Sequence, residues 1–342
     1  MSGPAGSTAA VRSAIRTALQ QHHLLGERVL VACSGGADSL ALAVGAAFVV
    51  PRHAGVAGAV IVNHQLQADS AQTAATAQRQ CLALGLSPVR VMPVRVSDTG
   101  SGVEQASREV RYAALTDEAR RQGARAVLIG HTRNDQAEQV LLGLARGSGA
   151  RSLSGMPSAR LLQSPPHHDQ PGTTPPTLLL RPLLRLSRQT TEGACVEAGL
   201  QAWRDPHNED PRFARARART LLAGWDRELG PGVIAALARS AELLRVDADT
   251  LDELSQTAYA GMGPVPWSVE ALLAHPPGIR TRLLRRMAVE AGATPGSLSS
   301  THVGGMHDLL VRWHGQGPVD LPGQVQVGRQ SDRLWLRSSI PS

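Results

Sequence analysis

The densest group of residues suited to chemistry is a short glycine- and serine-containing string that follows the apolar run RVLVAC and opens an apolar helical stretch. Its glycines let backbone amides approach an anion, its hydroxyls add donors, and the following helix N-terminus adds partial positive charge. The order therefore predicts a phosphate cradle, unless the string is only a strand-to-helix turn with helix-capping Ser and Asp. The residues are Ser34, Gly35, Gly36, Ala37, Asp38 and Ser39.

An aspartate inside such a cradle would repel phosphate. A divalent cation between them removes the repulsion, so Asp38 predicts Mg²⁺ bridging to a nucleotide. The spacing does not match the G-x-x-x-x-G-K-[ST] motif, and the printed sequence contains no lysine at all. A Walker-type site that cleaves the γ-phosphate is therefore disfavoured.

A second polar group follows the apolar run ARAVLIG, where His131, Asp135 and Glu138 occur in close succession. Taken singly, each has an ordinary explanation: a hydrogen-bonded strand-end histidine, a helix cap and a solvated helical charge. Open α/β sheets place their sites at the carboxyl ends of parallel strands, where this group is predicted to lie. We therefore expect His131 and Asp135 to be catalytic, with Asp135 sharing the metal with Asp38.

The string SGGADS resembles the SGGxDS signature of the PP-loop ATP pyrophosphatases. The resemblance implies that residues 34–39 bind ATP and that the α-phosphate is attacked, with release of pyrophosphate. PP-loop enzymes act on many substrates, so this loop alone does not identify the acceptor.

Other strings resemble the tRNA(Ile)-lysidine synthetase family over nearly the whole chain. Residues 130–149, GHTRNDQAEQVLLGLARGSG, and the later Gly155-Met156-Pro157 are similar to that family's pattern GHTxxDQAET…RGSG…GMP. Further matches are Val62-Asn63-His64, Glu104 with Arg108, Arg111 and Tyr112, Arg181-Pro182-Leu183-Leu184, and Trp203-Arg204-Asp205-Pro206 with Asn208, Asp210 and Phe213. The chain departs from the pattern at Gln65, Gln67, Gln139 and Ala216.

The family resemblance implies an ATP-dependent ligase that joins free lysine to C2 of the wobble cytidine in CAU-anticodon isoleucine tRNA. The cytidine is adenylated first, and lysidine, AMP and pyrophosphate are the products. Asn63 and His64 would join the ATP site, and family analogy suggests a homodimer. The resemblance assigns tRNA contacts to Glu104, Arg108, Arg111, Arg204, Arg212, Arg215, Arg217 and Arg219.

A PP-loop tRNA thiolase is the main alternative. Thiolation needs a relay cysteine or an iron–sulfur cluster, whereas Cys81 and Cys195 stand outside any C-x-x-C context. Cys33 lies in the predicted first strand, where a small buried residue is the simpler interpretation.

These residues must be positioned by an α/β fold. Apolar runs of strand length alternate with helical patterns in the first half, which predicts a parallel-sheet PP-loop domain, adenine nucleotide alpha hydrolase-like, over residues 1–225. A smaller, largely helical, tRNA-contacting domain is expected over residues 226–342. Helices are predicted at 231–260, 279–291 and 302–315, with a final hairpin. Residues 160–177 are predicted to form a mobile surface loop.

Composition agrees with a nucleic-acid partner. The net charge of +7 and the pI near 10.6 favour binding to a polyanion, and all of the positive charge outside histidine is arginine. The N-terminal residues lack signal-peptide order, and no apolar run suits a bilayer span, so a cytoplasmic protein is expected.

Overall fold

The computed structural model describes residues 6–65, 69–94, 103–162, 176–206, 210–263 and 265–338, without the side chains of 103–105. The chain divides into two compact units. The first comprises residues 1–142 and 155–239, and the second comprises residues 143–154 and 240–342. The boundary at 225/226 expected from the sequence stays a prediction.

The first unit is built on a six-stranded sheet whose strand order is β3-β2-β1-β4-β6-β5. All neighbouring strands are parallel except the edge pair of β5 and β6. The strands are β1 Arg28–Ala32, β2 Val56–Asn63, β3 Val89–Pro93, β4 Ala126–Ile129, β5 Ala159–Leu161 and β6 Leu178–Leu180.

Helices cover both faces of this sheet, which explains why its strands read as continuous apolar runs. On β1, Val29 and Val31 pack with Ile15 in one buried cluster, whereas Leu30 packs with Leu115 in another. The helices of this unit are α1 Gly6–Gln21, α2 Ala37–Val49, α3 Ser70–Ala83, α4 Val103–Gln122, α5 Arg133–Ala145, α7 Arg188–Glu197 and α8 Ala214–Glu228, and a 3₁₀ turn spans Pro51–His53.

The strand order places a topological switch point at β1. The chain runs from β1 outward to β2 and β3, then returns to place β4 on the other side of β1. In open α/β sheets the crevice beyond the carboxyl ends of the strands at such a point is the usual binding site. Residues 34–39 follow β1 and His131 follows β4, so both predicted groups lie at this crevice.

The second unit has its own core and its own antiparallel sheet, of order β7-β10-β9-β8. Its elements are α6 Ala150–Leu153, β7 Trp267–Ser268, α10 Val269–Leu273, α11 Pro277–Glu290, α12 Ser300–Val311, β8 Val319–Leu321, β9 Val325–Gln330 and β10 Arg333–Ser338, and α9 Val233–Ala260 begins in the first unit. The predicted α/β fold and smaller C-terminal domain are confirmed. The final hairpin is β9–β10, to which β8 and β7 add two strands that the sequence did not reveal.

Two expectations concern particular segments. Of the predicted mobile loop at 160–177, residues 160 and 161 belong to β5, and residues 163–175 lie outside the described part of the chain. None of the described helices combines the length and the apolar character needed to cross a bilayer.

Candidate active site

The loop after β1 is held in shape by its own polar groups. The Ser39 hydroxyl accepts a hydrogen bond from the Ser34 amide (3.1 Å) and donates one to the Gly36 carbonyl (2.9 Å). Gly35 has φ +83°, in the left-handed region, and a Cβ there would lie 3.4 Å from Cβ of Ala77. The loop is thus a preformed turn at the N-terminus of α2, a geometry suited to an anion.

Asp38 lies in the first turn of α2 and is largely buried, with a quarter of its side chain exposed. Its carboxylate accepts a hydrogen bond from the Thr191 hydroxyl and lies 3.8 Å from Nε of Arg188. Burial, with a smaller contribution from the charge of Asp135, raises the pKa of Asp38 to about 6, although Thr191 and Arg188 oppose the shift. Because burial disfavours the ionised form of Asp38, a nearby cation would stabilise that form.

Gly130 brings the end of β4 against this loop. A Cβ at Gly130 would lie 2.8 Å from the Asp38 carbonyl oxygen and 3.0 Å from the Ser39 amide nitrogen. Only glycine permits this approach of two backbones. The contact brings Asp135, on α5, beside Asp38, and His131, which follows β4, interacts with Asp135.

Asp135 is fixed by the backbone that precedes it. Its Oδ2 accepts hydrogen bonds from the Thr132 amide (2.7 Å) and the Thr132 hydroxyl (2.8 Å), and Oδ1 lies 3.5 Å from Arg188. Burial alone would raise the pKa of Asp135, but His131, these donors and Arg188 outweigh it and lower the pKa. The lowered pKa favours the ionised carboxylate.

His131 is held by a buried arginine. Nε of Arg181 donates to Nδ1 of His131 (3.1 Å), and another nitrogen of Arg181 donates to the Pro157 carbonyl (2.8 Å). Burial first, and then nearby guanidinium groups, lower the pKa of His131 to about 3 against the attraction of Asp135. Since an arginine side chain only donates, Nδ1 must be an acceptor and the ring proton must lie on Nε2. His131 therefore presents a neutral hydrogen-bond donor and is not a base.

Three further residues belong to this crevice, and the sequence did not identify them as site residues. Arg188 and Thr191 stand in the first turn of α7, which begins at the N-cap Ser187. Glu138 is buried and not the solvated charge considered from the sequence; it pairs with Arg219 (2.9 Å) and lies 3.6 Å from Arg188. The helix-start signal of Ser187 was visible in the sequence, but nothing there showed that α7 points at Asp38.

A group of arginines surrounds Tyr112 on α4. The guanidinium carbons of Arg108, Arg111 and Arg160 lie 5.0, 5.8 and 4.7 Å from the centre of its ring. Burial would raise the pKa of Tyr112, but the arginines outweigh it and lower the pKa. Arg108 and Arg111 were expected from the sequence, whereas Arg160 was not. The side chain of Glu104 lies outside the described residues.

Asn63 and His64 end β2 beside the loop. The Asn63 side-chain oxygen accepts a hydrogen bond from the backbone amide of Gln65 (3.0 Å). The turn uses only the backbone of Gln65, so the departure from the family pattern at this position does not remove it. Burial and then Arg111 lower the pKa of His64, and its Nδ1 is buried without a hydrogen-bond partner among the described residues. Such an orphaned nitrogen fits a site whose ligand supplies the missing partner. Gln67 lies outside the described residues.

The arginines of residues 204–219 do not form a single surface. On α8, Arg219 pairs with buried Glu138 and Arg215 contributes positive charge at His131, whereas exposed Arg217 donates to the Pro211 carbonyl (2.7 Å). Exposed Arg212 pairs with Asp210 (2.7 Å), and Arg204 is also exposed. The structure therefore brings Arg215 and Arg219 to the crevice and places Arg204, Arg212 and Arg217 at the surface.

The donor set fits magnesium with a nucleotide. Among the described residues no three His, Cys, Asp or Glu side chains converge as a complete metal cage. Mg²⁺ typically takes one or two carboxylates together with substrate phosphates and water, a demand that Asp38 and Asp135 beside the loop can meet. Arg188, within 3.8 Å of both carboxylates, supplies positive charge at the same place.

Comparison with known proteins agrees with this geometry. Residues 9–224 match the model of the PP-loop domain, and residues 268–335 match the model of the TilS substrate binding domain. The tRNA(Ile)-lysidine synthase of Salinispora tropica is 49% identical over 98% of this chain and 97% of its own length. The chain belongs to the tRNA(Ile)-lysidine synthase family.

A second member of the lysidine synthase family, from Thermobifida fusca, is 47% identical over 97% of this chain and 98% of its own length. Among solved structures, the U34-tRNA thiolase NcsA from Methanococcus maripaludis, with its [4Fe-4S] cluster, matches with a TM-score of 0.52 at 16% identity. The match covers 70% of this chain and 80% of the thiolase chain. At this identity the likeness shows the shared fold alone. The match of residues 9–224 to the PP-loop domain supports the use of ATP by this chain.

Proposed function

We propose that this chain ligates free lysine to C2 of the wobble cytidine in isoleucine tRNA with the anticodon CAU, using ATP and Mg²⁺. The carrying observation is the preformed SGGADS loop with Asp38 and Asp135 side by side at the β1–β4 switch point, in a chain whose relatives bear the lysidine synthase name over their full length. A cytoplasmic location and a homodimer belong to the same proposal, on the family resemblance alone.

The reaction has two balanced steps. The C2 oxygen of the cytidine attacks the α-phosphorus of ATP, forming an O–P bond and releasing pyrophosphate. The amine of lysine then forms a C–N bond at C2, loses its proton, and AMP leaves with the oxygen. Mg²⁺, when bound, supplies charge that offsets the negative phosphates.

The residues of the chain contribute binding, position and charge. The amides of residues 34–39 and the N-terminus of α2 would hold phosphate, while Asp38 and Asp135 would hold the cation. Nε2–H of His131 donates to an oxygen that gains negative charge during the first step. A fixed donor of this kind stabilises the transition state without reorganising.

Arginines would hold the tRNA. We assign phosphate contacts to Arg108, Arg111 and Arg160 around Tyr112, to Arg215, and to the surface arginines Arg204, Arg212 and Arg217. Arg219 instead neutralises Glu138, so we propose that it acts through that carboxylate. The contacts are electrostatic because few aromatic rings lie nearby for base stacking.

The direct test measures ATP-dependent incorporation of radiolabelled lysine into a CAU-anticodon isoleucine tRNA transcript, with Asp38→Ala as the variant. Wild type should incorporate label, and both the variant and EDTA treatment should abolish it. Transcripts carrying a different wobble base are the control. Cleavage of ATP to AMP and pyrophosphate with other tRNAs but no lysine incorporation would retain the PP-loop chemistry and reject this substrate.

A further inference from the structure

A cluster of positive charge lies at the C-terminal end of α2, away from the catalytic loop. There α1 and the 3₁₀ turn that follows α2 enclose an open cleft of about 270 Å³. Its lining includes Arg12, Arg16, Arg52 and His53 around Phe48, and it includes no carboxylate. Arg16, Arg52 and His53 are exposed, whereas Arg12 is half-buried.

Two guanidinium groups are stacked on one ring. The Cζ atoms of Arg12 and Arg52 lie 3.5 and 3.4 Å from the centre of the Phe48 ring. At these distances they would collide on one face, so they occupy opposite faces, roughly 7 Å apart. Each gains from the ring, but the two positive charges repel each other.

The rest of the cluster increases this repulsion. Arg12 and Arg16 stand at i and i+4 on α1, a spacing at which like charges destabilise a helix. Nε of Arg12 is buried without a hydrogen-bond partner. Arg52 donates to the Phe48 carbonyl (3.0 Å), but Arg12, Arg16 and Arg52 have no ion pair among the described residues. Burial and then the charge of Arg52 lower the pKa of Arg12. A bound anion in the cleft would relieve both repulsions at once.

We propose that the cleft lined by Arg12, Arg16, Phe48 and Arg52 binds a backbone phosphate of the substrate RNA, outside the anticodon nucleotide that reacts. The inference rests on the proposed function for the identity of the polyanion. Phe48 stands ten residues after Asp38 on α2, which separates the cleft from Asp38 by about 15 Å along the helix axis. A phosphate this far from the loop cannot take part in the chemistry, so the cleft contributes to binding only.

Arg16→Gln and Arg52→Gln test the proposal, since both side chains are exposed and neither contributes to the hydrophobic core. Each should raise Kd and KM for the tRNA by about three- to tenfold while kcat and KM for ATP stay unchanged. The slope of log K against log salt should become shallower by about 0.9 for the lost phosphate contact. Arg120→Gln is the matched control, because Arg120 is a surface arginine already paired with Asp117 at 3.0 Å.

The outcomes separate this inference from the proposed function. If wild type makes lysidine but the two variants match Arg120→Gln in Kd and salt slope, the phosphate cleft is wrong and the function stands. If wild type neither binds nor modifies the tRNA, the proposed function itself fails. Binding of inorganic phosphate that depends on Arg52, with unchanged tRNA affinity, would assign the cleft to a free anion and overturn the RNA proposal.

A crosslink can locate the RNA directly. All three natural cysteines are buried, so Ser13→Cys would place a single accessible thiol at the lining of the cleft. A photoactivatable group on this thiol should crosslink to one region of the tRNA stem or loop, and excess unlabelled tRNA should prevent it. Absence of any specific crosslink in a variant that retains activity would contradict the proposal.

Discussion

His131 shows how one hydrogen bond defines a role. Because Arg181 donates to Nδ1, the ring acts through Nε2–H. His131→Gln places an amide donor near the Nε2 position, whereas His131→Ala removes it. We expect the alanine variant to lose about 10²–10³-fold in kcat and the glutamine variant to stay within about tenfold of wild type. The measurement is lysine incorporation at saturating ATP and tRNA.

Equal losses in the two variants would show that donation from Nε2 is not what His131 contributes. A double-mutant cycle that combines Arg181→Met with His131→Ala, read out as the loss of kcat, gives an independent check. If Arg181 acts by orienting His131, its substitution should cost much less in the His131→Ala background than in wild type, because the residue it orients is then absent. Thermal unfolding of each variant controls for the loss of the bond to the Pro157 carbonyl.

Asp38 predicts a pH dependence of stability in metal-free protein. Its pKa in the folded state, about 6, is raised above the value of an unfolded aspartate, so the folded state binds the proton more tightly. Its burial therefore destabilises the charged form above pH 6, and the penalty declines as pH falls from 6 to 4. Asp38→Asn should raise the free energy of unfolding at pH 7.5 by up to about 3 kcal/mol, and at pH 4.5 by only about 1 kcal/mol.

Urea unfolding in EDTA at the two pH values measures this difference. Asp117→Asn, on the surface of α4, is the control and should show no such pH-dependent gain. A gain for Asp38→Asn that is the same at both pH values would show that the raised pKa is not its cause.

The sequence located Asp38, His131 and Asp135 because each lies within a few residues of a strand end. It did not show that Thr191 meets Asp38, across a sequence separation of 153 residues, or that Arg181, within a matched string, meets His131 across 50. Such pairs depend on how α7 and β6 pack against the sheet. A single sequence reports local periodicity and has no signal for that packing.

At the scale of elements, Gly130 lets the end of β4 pack directly against the start of α2. Gly130→Ala would place a methyl group 2.8 Å from the Asp38 carbonyl, so one backbone must move. We expect a loss of about 1–3 kcal/mol in unfolding free energy and a loss of ATP-dependent activity larger than the stability change explains. Urea unfolding and lysine incorporation, both at a temperature where the variant stays folded, measure the two effects.

Gly224→Ala is the matched control for that experiment. Gly224 lies within α8, nothing stands within 4 Å of its added Cβ, and its φ is not in the left-handed region. Alanine there should stabilise the protein by about 0.5–1 kcal/mol and leave activity unchanged. If both glycine variants behaved alike, the close contact between β4 and α2 would not matter for the site.

The long elements of the fold could be read from the sequence, and the short ones could not. The parallel strands β1, β2 and β4 are largely buried apolar runs, whereas the edge strand β3 includes exposed Arg90. The helices α9, α11 and α12 carry helical patterns that matched their observed bounds within a few residues. The short strands β5, β6, β7 and β8 are only two or three residues long. Segments of that length carry no periodicity, and only their pairing partners define them.

At the scale of the whole molecule, the positive charge is chemically uniform. The 35 basic residues are all arginine, so an amine-directed reagent can reach only the N-terminus, whereas a guanidine-directed reagent can reach every cationic side chain apart from histidine. The two reagents can therefore distinguish electrostatic tRNA binding by arginine from any requirement for an amine on the protein. The free lysine substrate is then the sole source of a side-chain ammonium in the assay.

Acetylation with an N-hydroxysuccinimide ester, followed by removal of the reagent, should change lysine incorporation by less than about twofold, since the sequence supplies no lysine to modify. Phenylglyoxal treatment should lower tRNA affinity more than about tenfold and flatten its salt dependence, because each blocked guanidinium is a lost phosphate contact. tRNA present during treatment should protect, since contacted guanidiniums are shielded. Protection by ATP alone, with none by tRNA, would mean that the sensitive arginines serve the nucleotide crevice around Arg188, and the assignment of the remaining arginines to RNA would fail.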